Sequence, residues 1–234
     1  MFSRTKALIG DDAFNKLNNS NVIVFGVGGV GGFAVEGLVR SGIGSITIVD
    51  NDDVNITNIN RQIIALNSTI GKSKVDVMEE RIKDINPLCN VKKIKMFYLP
   101  EENDKIDLNG YDYIIDCIDT IKAKIDLVVR ANELNIPIIS CMGMGNKIDP
   151  TLIKISDIYK TTVCPLARTM RYELRKRNIK KLKVCYSLEE PFKVNLSTDE
   201  DIRRSTPASI SFVPSVAGLI IAGEVIKDLG NIRR

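Results

Sequence analysis

A glycine-rich run, Gly26-Val27-Gly28-Gly29-Val30-Gly31, is followed along the chain by five polar residues suited to reactive phosphates: Asp50, Asn58, Arg61, Lys74 and Asp119. The glycines suit a bound phosphate. Gly26 permits a tight turn, Gly28 and its neighbour Gly29 let the backbone come close to an anion, and Gly31 lets the following helix pack against its strand. The start of that helix offers free N–H groups and the positive end of its dipole. Asp50 follows Gly31 by 19 residues, at the tip of a second apolar run. A carboxylate there can accept hydrogen bonds from ribose hydroxyls.

Such a unit binds a nucleotide without saying whether it is a redox cofactor or an ATP to be cleaved. Each downstream residue also has a bland explanation. Asp50 is acceptable as a strand-end turn residue, Arg61 as a surface arginine, Lys74 as an exposed helix lysine and Asp119 as a helix N-cap. Their combination is more selective. A redox dinucleotide needs no additional cations for a departing pyrophosphate. Phosphoryl and nucleotidyl transfer need several, together with a carboxylate for Mg²⁺. The chain contains no histidine, so the commonest general base is missing and the chemistry must use carboxylates, amines, thiols or fixed cations.

The elements that must position these groups alternate. A short amphipathic helix is expected over 5–19, then a strand Asn21–Phe25, a helix from about Val30 to Arg40 and a strand Ser45–Val49. An irregular stretch covers 51–62 and a helix about 72–85, stopping before Asn86-Pro87. Strands follow at Lys92–Tyr98, Tyr111–Cys117 and Ile136–Cys141, with a helix Lys122–Leu134 before the last. After Gly145 come strands Leu152–Ile155 and Lys183–Tyr186 around a basic helix at 164–177, a polar loop over 187–208 and a last helix from Pro214 to about Gly230. This is the α/β pattern of a Rossmann-like, doubly wound, mostly parallel sheet with C-terminal antiparallel strands and a final packing helix. The length of 234 residues suits a single domain, with residues 1–150 as its nucleotide-binding part and 151–234 as its C-terminal part.

Five cysteines without a C-x-x-C pair argue against a zinc site and for a reducing, cytoplasmic compartment. The N-terminal MFSRTKALIGDD has no apolar core, and Phe212–Gly223 is too short to span a bilayer, so neither an N-terminal signal nor a membrane anchor is expected. Net charge is only +4, but residues 168–183 carry eight basic residues against one acid, Glu173. Arg168, Arg171 and Arg175 recur at helical spacing and share a face that Lys180 and Lys181 extend, which suits a polyanion as well as a solvated helix face.

Thr57-Asn58-Ile59-Asn60-Arg61-Gln62, Gly71-Lys72-Ser73-Lys74-Val75, Ile85-Asn86-Pro87 and Asp116-Cys117-Ile118-Asp119 resemble, in order and spacing, the adenylating family of ThiF, MoeB and HesA, the bacterial relatives of ubiquitin-activating enzymes. The segments SRTKALIG, TNINRQI, GNKIDPT and CPLARTMRYELRKR leading into KLKVCYS resemble its tRNA-modifying branch. That resemblance implies an ATP-dependent cyclisation of threonylcarbamoyladenosine in tRNA through an acyl adenylate. The glycine loop would line the phosphates and Asp50 would hold the ribose, with Asp52 in the same site. Asn58, Arg61 and Lys74 would contact phosphates, Asp119 would bind Mg²⁺, and Arg4 would reach into a partner's site in a homodimer. Arg168, Arg171, Arg175, Lys180 and Lys181 would meet tRNA phosphates. A sulfur-transfer partner is compatible with the family. The alternative is adenylation of the C-terminal glycine of a ubiquitin-like sulfur carrier, though such enzymes typically carry two C-x-x-C pairs, absent here. Cys185 sits in a strand-like segment without a histidine or helix N-terminus to favour its thiolate, so a structural role is expected, as it is for Cys117 and Cys141.

Overall fold

Among the described residues, seven strands, β1 (Asn21–Phe25), β2 (Ser45–Asp50), β3 (Asn90–Lys95), β4 (Tyr113–Asp116), β5 (Ile138–Cys141), β6 (Ile153–Asp157) and β7 (Lys183–Ser187), form one sheet in the order β3-β2-β1-β4-β5-β7-β6. Every neighbouring pair is parallel except β6 with β7. The computed structural model describes residues 1–193 and 207–232. The expected loop over 187–208 therefore lies largely outside the described residues, and Ser187 belongs to β7. Among the described residues, seven α-helices accompany the sheet: α1 (Ser3–Ile9), α2 (Asp11–Asn18), α3 (Gly31–Arg40), α4 (Lys74–Ile85), α5 (Ile121–Glu133), α6 (Pro165–Lys176) and α7 (Phe212–Gly230).

The run NVIVF of β1 is apolar on both faces because both faces are covered. Val22 and Val24 pack with Ala34, Val35 and Leu38 of α3 and Ala217 and Ile221 of α7. Ile23 and Phe25 face the other way, onto Ala123 and Leu127 of α5. Val184 and Tyr186 of β7 join Met170 and Leu174 of α6 in a further cluster. The C-terminal half of α7 is tied down by ions: Lys183 Nζ donates to Glu224 Oε1 at 3.0 Å and Asp228 Oδ2 at 2.6 Å, and the Tyr113 hydroxyl donates to Asp228 Oδ2 at 2.7 Å. No described helix is long and apolar enough to cross a membrane.

Most expected elements are met with shifts of one or two residues at their ends, and two differ by more. The helix expected over 5–19 is broken into α1 and α2 by Gly10, whose φ of +83° cannot continue a right-handed helix. The third strand stops at Lys95 rather than Tyr98. Its partner β2 ends at Asp50, which is paired with Lys95, so Met96–Tyr98 has no further ladder to join and turns toward the ends of the strands.

Between α3 and α4, Glu36 is 7% exposed and receives Arg81 through Nε at 2.7 Å and Nη2 at 2.9 Å, and Arg40 Nε at 2.6 Å. Burial alone would raise its carboxyl pKa, but the hydrogen bonds and charges of the two arginines reverse this and hold it below the ordinary 4.5. A depressed carboxyl pKa contributes stability above the unfolded value that disappears as pH falls through the folded one. Arg81→Leu should therefore lose roughly 1.5–3 kcal/mol near pH 7. In urea titrations its stability curve should converge on that of the parent below the ordinary pKa. A constant gap down to acidic pH would rule out this origin.

Candidate functional site

The parallel register sets Phe25 beside both Val49 and Asp116, so the chain segments leaving β1, β2 and β4 emerge together at one edge of the sheet. From β1 the connections run outward in opposite directions, through β2 to β3 on one side and through β4 to β5 on the other. A crevice opens where the direction switches. It holds a cavity of about 660 Å³, within the usual range for small-molecule sites. Gly26, Gly28, Gly29, Asp50, Asp52, Asn58, Arg61, Lys74 and Asp119 all line it.

The glycine loop is built by close approach. Gly26 has φ +87°, and a Cβ there would meet the Cys117 carbonyl oxygen at 2.7 Å. A Cβ on Gly31 would lie 1.8 Å from the Gly26 oxygen. Gly31 thus shapes the loop from behind rather than lining the cavity. A Cβ on Gly28 would meet nothing closer than the Gln62 amide nitrogen at 3.7 Å, so that position opens into the cavity. No side chain caps α3; Gly32 N donates to Gly28 O at 3.0 Å, and the N–H groups of Gly31 and Phe33 remain for a ligand.

Asp50 does more than end a strand. Its Oδ2 accepts from Val27 N at 2.6 Å and its Oδ1 from Asp52 N at 2.9 Å, which braces the glycine loop against the next segment. Lys74 arrives because 52–54 and 71–74 pair back on one another: Val54 N donates to Lys72 O at 2.8 Å and Lys74 N to Asp52 O at 3.0 Å. The Lys74 side chain is 6% exposed, its ammonium 2.6 Å from Asp52 and 4.0 Å from Asp50. Asn58 is buried, and its side-chain Oδ1 accepts from Asn55 N at 3.0 Å within a capping box. Arg61 Nη1 donates to Thr57 O at 3.0 Å and Asn60 Oδ1 at 2.9 Å.

Asp119 is exposed in the loop after β4. The N-cap position of α5 is Thr120, and no side chain caps the helix, so Asp119 does not act as its cap. Its loop is seated from below. Asp116 Oδ1 accepts from Ile118 N at 3.1 Å, while Asp116 Oδ2 accepts from Lys124 Nζ at 2.9 Å and from the Ser140 hydroxyl. Arg4 lies exposed on α1 and is not among the residues lining the cavity.

The cavity also contains Gln62, Met96, Phe97 and Pro214, which carry no role in the sequence reading. Gln62 is 6% exposed and its carbonyl oxygen has no hydrogen-bond partner, a condition that a buried amide tolerates only at some cost in free energy. Its position next to Arg61 in TNINRQ was the available signal. Cys117 and Cys141 line the cavity floor. Cys185 is fully buried, and its hydrogen bond with Cys141 and its burial hold the thiol well above the ordinary pKa, which disfavours a nucleophilic thiolate.

On α6, Leu166 lines the cavity, while none of the basic residues Arg168, Arg171 and Arg175 does. Arg168, Arg175, Lys180 and Lys181 are exposed, with the Arg175 guanidinium 5.3 Å from the Tyr159 ring centre. Arg171 is half-buried and donates to Thr161 O at 3.1 Å. Lys176 and Arg177 pair with Glu173 at 3.0 and 2.7 Å.

Comparison with known proteins adds three findings. The description "ThiF family" matches residues 2–234. The tRNA threonylcarbamoyladenosine dehydratase of Bacillus subtilis (strain 168) is 48% identical over 242 aligned residues, covering 97% of this chain and 94% of that protein. Crystal structures of the Escherichia coli tRNA N6-threonylcarbamoyladenosine dehydratase superpose with TM-score 0.88, one in complex with ATP at 33% identity and one with AMP at 32%, each covering 97% of this chain and 93% of that one.

Proposed function

The chain belongs to the ThiF family, and from that premise we propose that it is an ATP-dependent tRNA-modifying enzyme that activates the carboxylate of threonylcarbamoyladenosine and closes it into a ring. The observation that carries this reading is the convergence of Arg61, Lys74 and Asp119 on the glycine loop in one cavity. The threonyl carboxylate attacks the α-phosphorus of ATP, the bond to the β-phosphate breaks and pyrophosphate leaves. A nitrogen of the same modified base then attacks the acyl carbon, loses its proton, and AMP departs. The first nucleophile is already ionised at neutral pH, which accords with a chain that lacks histidine. Ring closure is intramolecular and gains effective molarity without an enzyme nucleophile.

The charged residues lining the cavity are Arg61 and Lys74 against Asp50, Asp52 and Asp119. A site with more carboxylates than cations suits a polyphosphate only with a divalent cation, and Asp119 would hold Mg²⁺ together with the phosphates. When bound, Mg²⁺ would neutralise charge on the departing pyrophosphate. Arg61 and Lys74 stabilise the same charge from the protein side, and Asp50 orients the ribose.

A homodimer belongs to this reading. Ile56, Ile59, Leu66 and Ile70 are exposed on the segments around Arg61, apolar surface that a second copy would cover, and Arg4 would act across that interface. A reducing, cytoplasmic setting fits the free cysteines. The sulfur-carrier reading has less support, since among the described residues no cluster of three metal-ligating side chains could hold zinc.

The test is incubation with ATP, Mg²⁺ and tRNA with or without threonylcarbamoyladenosine. AMP should appear only with the modified tRNA, and the nucleoside should become lighter by one water. AMP formation that needs a carrier protein instead would transfer the assignment to the sulfur-carrier reading. The exposed end of the basic face should contact phosphates. Lys180→Ala with Lys181→Ala should flatten the salt dependence of tRNA binding by about one unit of slope per lost contact. An unchanged slope in filter-binding titrations would remove both lysines from the interface. Arg171→Ala should instead act locally on the turn it holds through Thr161.

A further inference from the structure

The GNKIDPT segment characteristic of this chain has no part in the chemistry above, yet it sits at a junction. Asn146 follows Gly145, which lines the cavity, and adopts φ +57°. In that conformation it binds two separate stretches of chain. Its carbonyl accepts from Phe192 N at 2.8 Å. Its N–H donates to Ala208 O at 2.8 Å, and its side-chain oxygen accepts from Ala208 N at 2.7 Å. The contact is tight, since a Cβ on Gly145 would lie 2.5 Å from the Pro207 Cβ. Pro207 and Ser209 on either side of Ala208 both line the cavity.

The stretch 207–209 passes this restraint on. Ser209 O accepts from Asn60 Nδ2 at 3.0 Å, and Asn60 Oδ1 accepts from Arg61 Nη1 at 2.9 Å. The amide of Asn60 fits only this way round. Reversed, it would set an N–H donor against the guanidinium donors and an oxygen against the Ser209 carbonyl. Arg61 Nη1 is also bound to Thr57 O, so both of its protons are engaged by the protein. Among the described residues nothing binds the edge formed by Nε and Nη2, which can meet two phosphate oxygens in the fork geometry in which arginine binds phosphate well.

We propose that Asn146 and Asn60 are positioning residues that fix the phosphate-binding edge of Arg61, acting in series through the backbone of 207–209. Asn60 is exposed, and an exposed side chain in water holds no single geometry unless both ends are bonded. Asn146 provides the fixed end. The proposal rests on the nucleotide site described above but not on the identity of the acyl substrate, because its effect is readable in ATP binding alone.

The experiment is a calorimetric titration of the full-length protein with ATP and Mg²⁺, without tRNA. Asn60→Ala and Asn146→Gly should each weaken ATP by about three- to tenfold, the scale of one net hydrogen bond. Glycine keeps the left-handed backbone while removing the side-chain carboxamide, whose oxygen holds Ala208 N. Asn146→Asp keeps the oxygen and tolerates that backbone, so it should bind ATP like the parent. In an Arg61→Ala background, neither Asn60→Ala nor Asn146→Gly should weaken binding further, since residues acting through a third show no independent effect once it is removed. Parental affinity in the single variants, or an undiminished loss in the Arg61→Ala background, overturns the relay. If Asn146→Gly is too unstable to assay, the exposed Asn60→Ala decides the matter. If the parent binds ATP but forms no AMP with modified tRNA, the substrate assignment fails while the relay remains readable.

Discussion

Arg61→Ala is expected to slow AMP formation on modified tRNA by about 10²–10³-fold, the scale lost when one preorganised donor is removed from a developing charge. The guanidinium is held by Thr57 and Asn60 before any ligand arrives, so no reorganisation is needed as the α–β phosphate bond breaks. Arg61 is only half-buried, and its loss should leave thermal unfolding nearly unchanged. Arg61→Lys should recover little, because an ammonium is a point charge without the two-pronged edge. Single-turnover AMP formation with a parallel melting curve separates the two effects. Normal turnover in Arg61→Ala would remove the residue from the mechanism.

The second large effect is on folding. Lys124 and Asp116 have fully buried side chains, paired at 2.9 Å beneath the Asp119 loop, with the Ser140 hydroxyl on the same carboxylate oxygen. Burial alone would lower the Lys124 pKa, but the charge and hydrogen bond of Asp116 reverse this and keep it raised. Lys124→Met leaves a carboxylate without its counter-ion in an apolar setting and should cost about 3–5 kcal/mol. Replacing both partners, Lys124→Met with Asp116→Asn, should recover part of that loss, since the unpaired charge is gone. Chemical denaturation of the three proteins checks both statements. A single variant as stable as the parent would mean that water reaches Asp116.

Much of this was legible along the chain. β1, the glycine loop and α3 follow from a β-branched run, closely spaced glycines and helical periodicity, all local properties. Arg61, Lys74 and Asp119 were legible as a set because their residue types suit one reaction and their order resembles a known family. Lys124 carried an unused signal: in α5 it falls in phase with buried Leu127, Val128 and Ala131, so a lysine on the apolar stripe announced a buried partner. The break at Gly10 is hidden in the sequence because apolar residues recur on both sides of it. The end of β3 could not be seen in its own residues, since it is set by where β2 stops. Arg171 reads like its neighbours at helical spacing, yet its environment engages it with Thr161.

The alternation of strands and helices, the phosphate loop and the kinds of charge available are local properties of the chain, because turn geometry, periodicity and side-chain chemistry act over a few residues. It takes the folded packing to make Asp50 brace the glycine loop, to hold Lys74 between two aspartates, and to bring Asn60 and Asn146 to bear on Arg61 through Ser209 and Ala208. Those arrangements join residues far apart in the chain, and their geometry follows from sheet order and register, which local patterns do not encode.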